Sequence, residues 1–153
     1  LNPECTTLTF ELKVTDDKGL TSDPAIVKVR VLPNNIIHSE LRRKGRHWFS
    51  WHKYTFQGLK DEVVTITLEA DPSGWHRGKR AMLMLKDKIR RVRLFRKSRG
   101  ALPNKITAKL PADGEYAVYV VRQPWFCRGK SFRGNYILTM DGSCGTLMRK
   151  SSR

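Results

Sequence analysis

The chain has 153 residues, 39% of them apolar and 9% aromatic, which is enough for one domain with a buried core or for two small ones. It contains no run of eighteen apolar residues, so the sequence predicts no membrane-spanning helix. The formal net charge of +16 predicts long-range attraction to polyanions that weakens as salt is added. Residues 1–35 hold only four Lys/Arg against five Asp/Glu, so the basic character belongs to the rest of the chain.

The first predicted elements are two strands joined by a turn. Residues 6–14 alternate apolar and polar side chains, which predicts a half-buried strand, and residues 25–32 repeat the pattern. Asp16-Asp17-Lys18-Gly19 predicts a turn between them, since glycine accepts a positive φ. The string LTFELKVTDDKGLTSDPAIVKVRV resembles the closing strands of an immunoglobulin-like repeat of the polycystic-kidney-disease (PKD) type.

That resemblance implies an extracellular protein of tandem modules, in which residues 1–33 are the C-terminal strands of one repeat. A complete sandwich of this type has about seven strands, and a lone hairpin is only marginally stable in water. We therefore expect that the chain is part of a longer one, or that these strands pack on the second domain or on another chain. Packing on another chain would mean strand exchange, as in a filament.

Residues 34–46 are predicted to form a basic linker that leads into an aromatic segment, HWFSWH, at residues 47–52. Bases interleaved with aromatics can hold phosphate or sulfate while the rings stack on sugars or nucleobases. The candidate polyanion-binding residues here are Arg42, Arg43, Lys44 and Arg46, and the candidate stacking residues are Trp48 and Trp51. The alternatives are a solvated loop for the bases and core or interface packing for the tryptophans.

The segment at residues 53–68, KYTFQGLKDEVVTITL, predicts two short strands separated by a turn at residues 58–62. Residues 110–121 and 133–140 carry the same alternation, so we predict one antiparallel sheet protein. The order of these pieces resembles the bacterial pre-peptidase C-terminal (PPC) domain, a small secreted β-sandwich. The resemblance implies an all-β, jelly-roll-like antiparallel sandwich over residues 47–141, followed by a basic tail at residues 142–153.

Residues 81–99 fit two patterns. Helical spacing of apolar residues would give a basic amphipathic helix, suited to a membrane surface or a partner groove. We favour a hairpin with a turn at residues 86–88, because the neighbouring segments are strands and the resembled family has a hairpin here. On that interpretation Arg91 and Arg93, with Arg96 and Lys97, line an exposed edge or face, and Arg91 and Arg93 are candidate polyanion-binding residues. The alternative role for such charges is protection of an edge strand against aggregation.

The predicted loop at residues 122–133 is the second place where aromatics and bases interleave. It supplies the candidate stacking residue Trp125 and the candidate polyanion-binding residues Arg128, Lys130 and Arg133. Because its flanking strands are antiparallel, this loop lies at one end of the sandwich, and it would form a single site with the basic linker if both lie at the same end. The three cysteines, Cys5, Cys127 and Cys144, permit one intrachain disulfide and leave its pairing open.

The sequence offers no nucleophile with a positioned base and no close carboxylate pair that suits acid/base catalysis, so we predict that the chain is not an enzyme. We predict no cofactor or zinc site. Some members of the resembled family bind calcium through acidic residues, but this chain has Ser50-Trp51-His52 and Lys79-Arg80-Ala81 where those acids would stand. The resemblance therefore does not carry the calcium site over.

Together these features predict a secreted or cell-surface adhesion or targeting module that binds polyanionic or acidic partners through a basic, aromatic-containing surface. The expected partners are acidic polysaccharide, extracellular nucleic acid or an acidic protein, without membrane insertion. The alternative is a structural subunit of an extracellular assembly or filament, held by β-strand contacts between copies of the chain.

Overall fold

The computed structural model describes residues 5–42, 51–78, 80–87, 95–122 and 132–150. All regular structure in these ranges is β-strand. In chain order the strands are β1 Thr6–Leu12, β2 Ala25–Val31, β3 Asn35–Leu41, β4 Trp51–Gly58, β5 Val63–Ala70, β6 His76–Arg77, β7 Arg80–Asp87, β8 Phe95–Ala101, β9 Asn104–Lys109, β10 Gly114–Arg122, β11 Arg133–Asp141 and β12 Met148–Lys150.

The strands from β3 onward form a sandwich of two antiparallel sheets. The first sheet has the order β12-β4-β10-β7-β8, and the second has the order β3-β11-β5-β9, with β6 also paired to β11. Apolar side chains that alternate along the strands of both sheets meet in one core. Leu83, Leu85 and Val118 come from the first sheet, and Ile66 and Leu138 come from the second. The predicted all-β antiparallel sandwich is confirmed.

A polar network that is buried at Tyr54 and Tyr136 joins the two sheets. The hydroxyl of Tyr136 lies 2.6 Å from the hydroxyl of Tyr54 and 2.6 Å from Nδ1 of His52. Arg149 of β12 approaches Nε2 of His52 at 3.2 Å. Burial of the Tyr136 ring and the nearby Tyr54 raise the pKa of Tyr136 far above its ordinary value, so this hydroxyl stays neutral.

Strands β1 and β2 form a separate two-stranded hairpin. A disulfide joins Cys5 to Cys144, and the Arg30 guanidinium contacts the Cys144 sulfur and forms an ion pair with Glu62 at 2.9 Å. The Glu62 carboxylate also accepts hydrogen bonds from Ser143 and from the Leu59 amide. These contacts tie the hairpin to the turn between β4 and β5.

The hairpin has one apolar face that the sandwich leaves exposed. Because Phe10 pairs with Val27 and Leu8 pairs with Val29, their side chains share a face with two more large apolar residues. The six members are between 43% and 63% exposed: Leu8, Phe10, Leu12, Val27, Val29 and Val31. The two predicted strands are confirmed, whereas the predicted half-burial is wrong, since no layer of the described chain covers this face.

Three segments differ from their predicted form. Residues 35–41, expected in the linker, form β3, which pairs with β11. Part of the predicted tail is folded, since Cys144 and Leu147 are buried and β12 pairs with β4. The described parts of residues 81–99 are strands, but the predicted turn at 86–88 is wrong because β7 continues to Asp87 and pairs with β8.

The turn after β11 gives a stability prediction. Gly142 has a φ of +87°, and a Cβ added there would lie 2.0 Å from the Val63 carbonyl oxygen. We expect Gly142→Ala to lower the free energy of unfolding by about 3 kcal/mol or more. The alanine would be strained at a positive φ, and its Cβ would also clash with the backbone, so the two costs add. Gly19→Ala is the matched control, since Gly19 has a φ of +81° and nothing within 4 Å of such a Cβ. It should cost only about 1–2 kcal/mol in urea unfolding. Equal costs would contradict the steric argument.

Candidate functional site

Three of the predicted site residues, Arg42, Trp51 and Arg133, lie in the described part of the chain. The other predicted site residues lie outside the described residues: Arg43, Lys44, Arg46, Trp48, Arg91, Arg93, Trp125, Arg128 and Lys130.

Arg42, Trp51 and Arg133 occupy the same end of the sandwich but belong to different sheets. Trp51 pairs with Val121 in the first sheet. Arg42 and Arg133 flank the paired residues Leu41 and Gly134 of the second sheet. The amide of Phe132 donates to the Arg80 carbonyl at 2.7 Å, which places this end of the second sheet beside the start of β7. These three residues therefore lie at one end of the sandwich but on different sheets, and the single site expected if both segments share that end stays a prediction.

Arg42 and Arg133 form part of a row of three arginines across the end of the second sheet. Arg133 pairs with Arg77 of β6 on its other side. Nε of Arg42 lies 2.5 Å from Oε2 of Glu40, whose other oxygen accepts a hydrogen bond from the indole of Trp75 at 3.2 Å. Part of this row is thus neutralised by an acid of the same strand.

A larger basic surface covers the outer face of the first sheet. Successive side chains of a strand point to opposite faces, and the buried residues of the core fix which face is outward. We call the outward set the basic face. Its members in three successive rows are Trp51, Lys53, Thr55, Met82, Met84, Lys86, Phe95, Lys97, Arg99, Ala117, Tyr119, Val121, Met148 and Lys150, and Arg80 adjoins them at the start of β7.

The register of the five strands arranges the basic face in three rows across the sheet. The middle row is Lys150, Lys53, Tyr119, Met84 and Lys97. The row on one side is Trp51, Val121, Met82 and Arg99. The row on the other side is Met148, Thr55, Ala117, Lys86 and Phe95. The centre of the face is therefore largely apolar, and most of its bases lie on the strands at either side.

Aromatic rings and ammonium groups are in direct contact on this face. The rings of Trp51 and Tyr119 lie 5.8 Å apart, centroid to centroid. The ammonium groups of Lys53 and Lys86 lie 5.7 and 5.6 Å from the Tyr119 ring centroid. Lys86 also lies 5.4 Å from the Phe95 ring. Since Trp51 is 40% exposed and Phe95 is 50% exposed, both rings remain accessible to a ligand.

Acidic groups do little to neutralise the basic face. Among the described outward residues of the first sheet, Glu115 is the one acid, and its carboxylate lies 3.4 Å from the Lys150 ammonium. The ammonium groups of this face repel one another, and a bound anion would relieve that repulsion.

The outer face of the second sheet has a different centre. Four threonines meet there across the strands: Thr65, Thr67, Thr107 and Thr139. Lys109 at its margin forms an ion pair with Asp61 at 2.7 Å, which holds the pKa of Asp61 below its ordinary value. Among the described residues, the centre of this face therefore holds threonines and not the aromatic rings that lie between bases on the first sheet.

One cluster on the second sheet combines residue types used in catalysis. Asp71 accepts hydrogen bonds from the Ser73 hydroxyl at 2.6 Å and lies 3.1 Å from Nδ1 of His38. These contacts lower the pKa of Asp71 to about 2, which makes its carboxylate a poor general base at neutral pH. Serine and histidine both bond to the carboxylate, so this geometry does not activate Ser73 as a nucleophile.

Within the ranges given above, no three or more His, Cys, Asp or Glu side chains come together in a way that could hold a metal ion. The same ranges contain no helix long and apolar enough to cross a membrane.

Most of the basic face was not among the predicted site residues. Lys53, Lys86, Lys97, Arg99 and Lys150 all lie on strands. The sequence pattern places Lys97 on an exposed edge or face, but most of the predicted binding residues are bases of the linker or of loops. The outward position of Lys53 and Lys86 was readable from alternation, since each is adjacent to a core residue, Tyr54 or Leu85. It was not readable for Lys97, Arg99 and Lys150, because β8 and β12 carry no buried apolar residue. Their proximity was not readable, because it depends on the order and register of strands that are distant in sequence.

No protein-family model matches the chain, and no curated protein matches it either. The class of the protein therefore rests on its fold, an antiparallel all-β sandwich with an attached hairpin. The resemblances to PPC domains and to PKD-type repeats stay predictions.

Proposed function

We propose that the chain is a non-catalytic extracellular adhesion or targeting module that binds polyanions through the basic face. The observation that carries the proposal is the arrangement of Lys53, Lys97, Arg99 and Lys150 around the exposed rings of the first sheet. Ammonium and guanidinium groups attract sulfate, phosphate or carboxylate groups, and the rings add contact area that does not depend on charge.

The location outside the cell is supported by the disulfide between Cys5 and Cys144. Disulfides persist in oxidising compartments and are rare in the cytosol. We further propose that residues 1–33 are the closing strands of a PKD-type repeat and that residues 47–141 form a PPC-like module. In that arrangement the hairpin positions the basic face relative to the rest of an extracellular protein.

The test is binding to immobilised heparin and to double-stranded DNA across a salt series. We expect affinity to fall linearly with salt on logarithmic axes, because each occupied phosphate releases condensed counterions. Replacing Lys53, Lys86, Lys97 and Arg99 by glutamine should reduce the slope on DNA by about three units and lower the affinity about a hundredfold at low salt.

The control variant replaces four exposed lysines elsewhere, Lys18, Lys28, Lys60 and Lys105, by glutamine. It removes the same charge from the chain and should retain most of the affinity. Absence of binding by the unmodified chain at low salt would overturn the proposal, and so would equal losses in the two variants.

The second candidate function is that of a structural subunit in an extracellular assembly. The apolar face of the β1–β2 hairpin favours it, because no described part of the chain covers its six apolar side chains, and contiguous exposed apolar patches mark protein contacts. Residues 5–32 hold four bases and four acids, so this is a part of the chain that a second copy can approach without net repulsion.

This second function predicts self-association that depends on the apolar face. We expect the molar mass from sedimentation equilibrium to rise above that of one chain at micromolar concentration. Phe10→Glu should abolish the association, whereas Thr9→Glu on the opposite face of the same strand should leave it intact. A monomer at all micromolar concentrations would argue against the assembly.

A further inference from the structure

The basic face carries charge on two opposite sides of an apolar centre. Lys53 and Lys150 lie on the neighbouring strands β4 and β12, and Lys97 and Arg99 lie on β8. We call Lys53 and Lys150 the left rail, and Lys97 and Arg99 the right rail. Since adjacent strands are about 4.8 Å apart, the rail residues on β4 and β8 are separated by about 14 Å at the backbone.

Between the rails the sheet presents an apolar floor. Strands β10 and β7 contribute the half-buried Tyr119, Met82 and Met84 to it, whereas Val121 on the same face is buried. Trp51 on β4 and Phe95 on β8 lie at diagonally opposite corners of the floor, two rows apart along the strands. The three rows cover about 14 Å along the strand direction, since residues on one face repeat about every 7 Å.

This pattern restricts the shape of a polyanion that would satisfy both rails. The ligand needs anionic groups on both edges of a narrow ribbon, and it needs flat, weakly polar surfaces to lie on the floor. A single-stranded nucleic acid has phosphates along one edge and bases along the other, so it would engage one rail. A linear acidic polysaccharide carries sulfate or carboxylate groups on both edges, and its sugar rings have apolar faces that stack on aromatic side chains.

We infer that the basic face binds a linear acidic polysaccharide that lies along the strands between the left rail and the right rail, with sugar rings over Trp51 and Tyr119. The inference rests on the proposed function and adds the ligand class and its direction on the sheet. Lys86 contacts both Tyr119 and Phe95 and lies between the two rails. It would meet an anionic group at the end of the ligand that lies beside Phe95.

The experiment compares a heparin hexasaccharide with a single-stranded oligothymidylate of equal charge, by titration calorimetry at one fixed salt concentration. The variants are Lys53→Gln/Lys150→Gln for the left rail, Lys97→Gln/Arg99→Gln for the right rail, and Trp51→Ala for the floor. The matched control is Lys18→Gln/Lys28→Gln, which removes two charges from the hairpin. Thermal unfolding of each variant checks that the surface substitutions leave the fold intact.

The expected result is that the hexasaccharide binds more tightly than the oligonucleotide, and that each rail variant weakens it by about tenfold, as expected for two lost charge contacts. Trp51→Ala should weaken it without changing the salt dependence, and the control should not weaken it. Tighter binding of the oligonucleotide, or dependence on one rail alone, would overturn the inference and leave the proposed polyanion function standing. Failure of both ligands to bind would overturn both.

Discussion

Loss of the disulfide between Cys5 and Cys144 should lower the free energy of unfolding by about 4–5 kcal/mol. The two cysteines are 139 residues apart in sequence, so the bond closes a loop that includes the whole sandwich. In the chain-entropy account, a disulfide stabilises the folded state by removing conformations from the unfolded chain, and the effect grows with the loop. The measurement is urea unfolding of the chain in oxidised form and as Cys5→Ala.

Cys127→Ala is the matched control, because it removes a cysteine and leaves the Cys5–Cys144 bond in place. Equal stabilities of the unmodified chain and Cys5→Ala would contradict the prediction. Without the bond, the hairpin would depend on the Arg30–Glu62 ion pair, whose guanidinium is 46% exposed. The Glu62 side chain is only 6% exposed, but water partly screens the pair at its Arg30 side. The pair holds the hairpin less firmly than a covalent bond, so the hairpin should also become sensitive to proteases.

The second large effect is expected at the centre of the core. Leu138 is fully buried on β11, opposite Leu68 of β5 and Ile37 of β3. Leu138→Ala should lower the free energy of unfolding by about 2–5 kcal/mol, because the variant buries less apolar surface and leaves a cavity in the core, and both destabilise the folded state. The measurement is urea unfolding followed by tryptophan fluorescence and by circular dichroism.

The neighbouring residue Ile137 provides the control for Leu138. It points to the outer face of the same strand and is only partly buried. Ile137→Ala should cost about 1 kcal/mol, since less apolar surface leaves a packed environment. A larger loss from Ile137→Ala than from Leu138→Ala would mean that β11 faces the core with its other side.

Alternation along the chain was enough to predict the strands and their buried residues. Val64, Ile66 and Leu68 stand at every second position and are all buried. Ile106, Ala108 and Leu110 follow the same spacing and are buried too. This property is local, since the side chains of a strand alternate whatever strand lies beside it. The turn at residues 58–62 was also local, and β4 ends and β5 begins on either side of it.

Predictions that depended on a strand's length or its partner were less accurate. The turn expected at residues 86–88 is wrong because Lys86 and Asp87 extend β7, and polar residues at a strand end resemble a turn in sequence. The hairpin of β1 and β2 shows the same limit. Its alternation predicted half-burial, but burial needs a second layer, and an apolar pattern does not supply one.

The sequence by itself determined that the chain forms β-strands, that 26 of its 30 bases lie beyond residue 35, and that its three cysteines can form at most one disulfide within the chain. Only the tertiary structure decided that Cys5 pairs with Cys144 and that Lys150 lies beside Lys53 on one face with Lys97. The physical reason is that alternation fixes which side of a strand a residue occupies, whereas the order and register of strands fix its neighbours. Those depend on contacts between residues as far apart as the two ends of the chain.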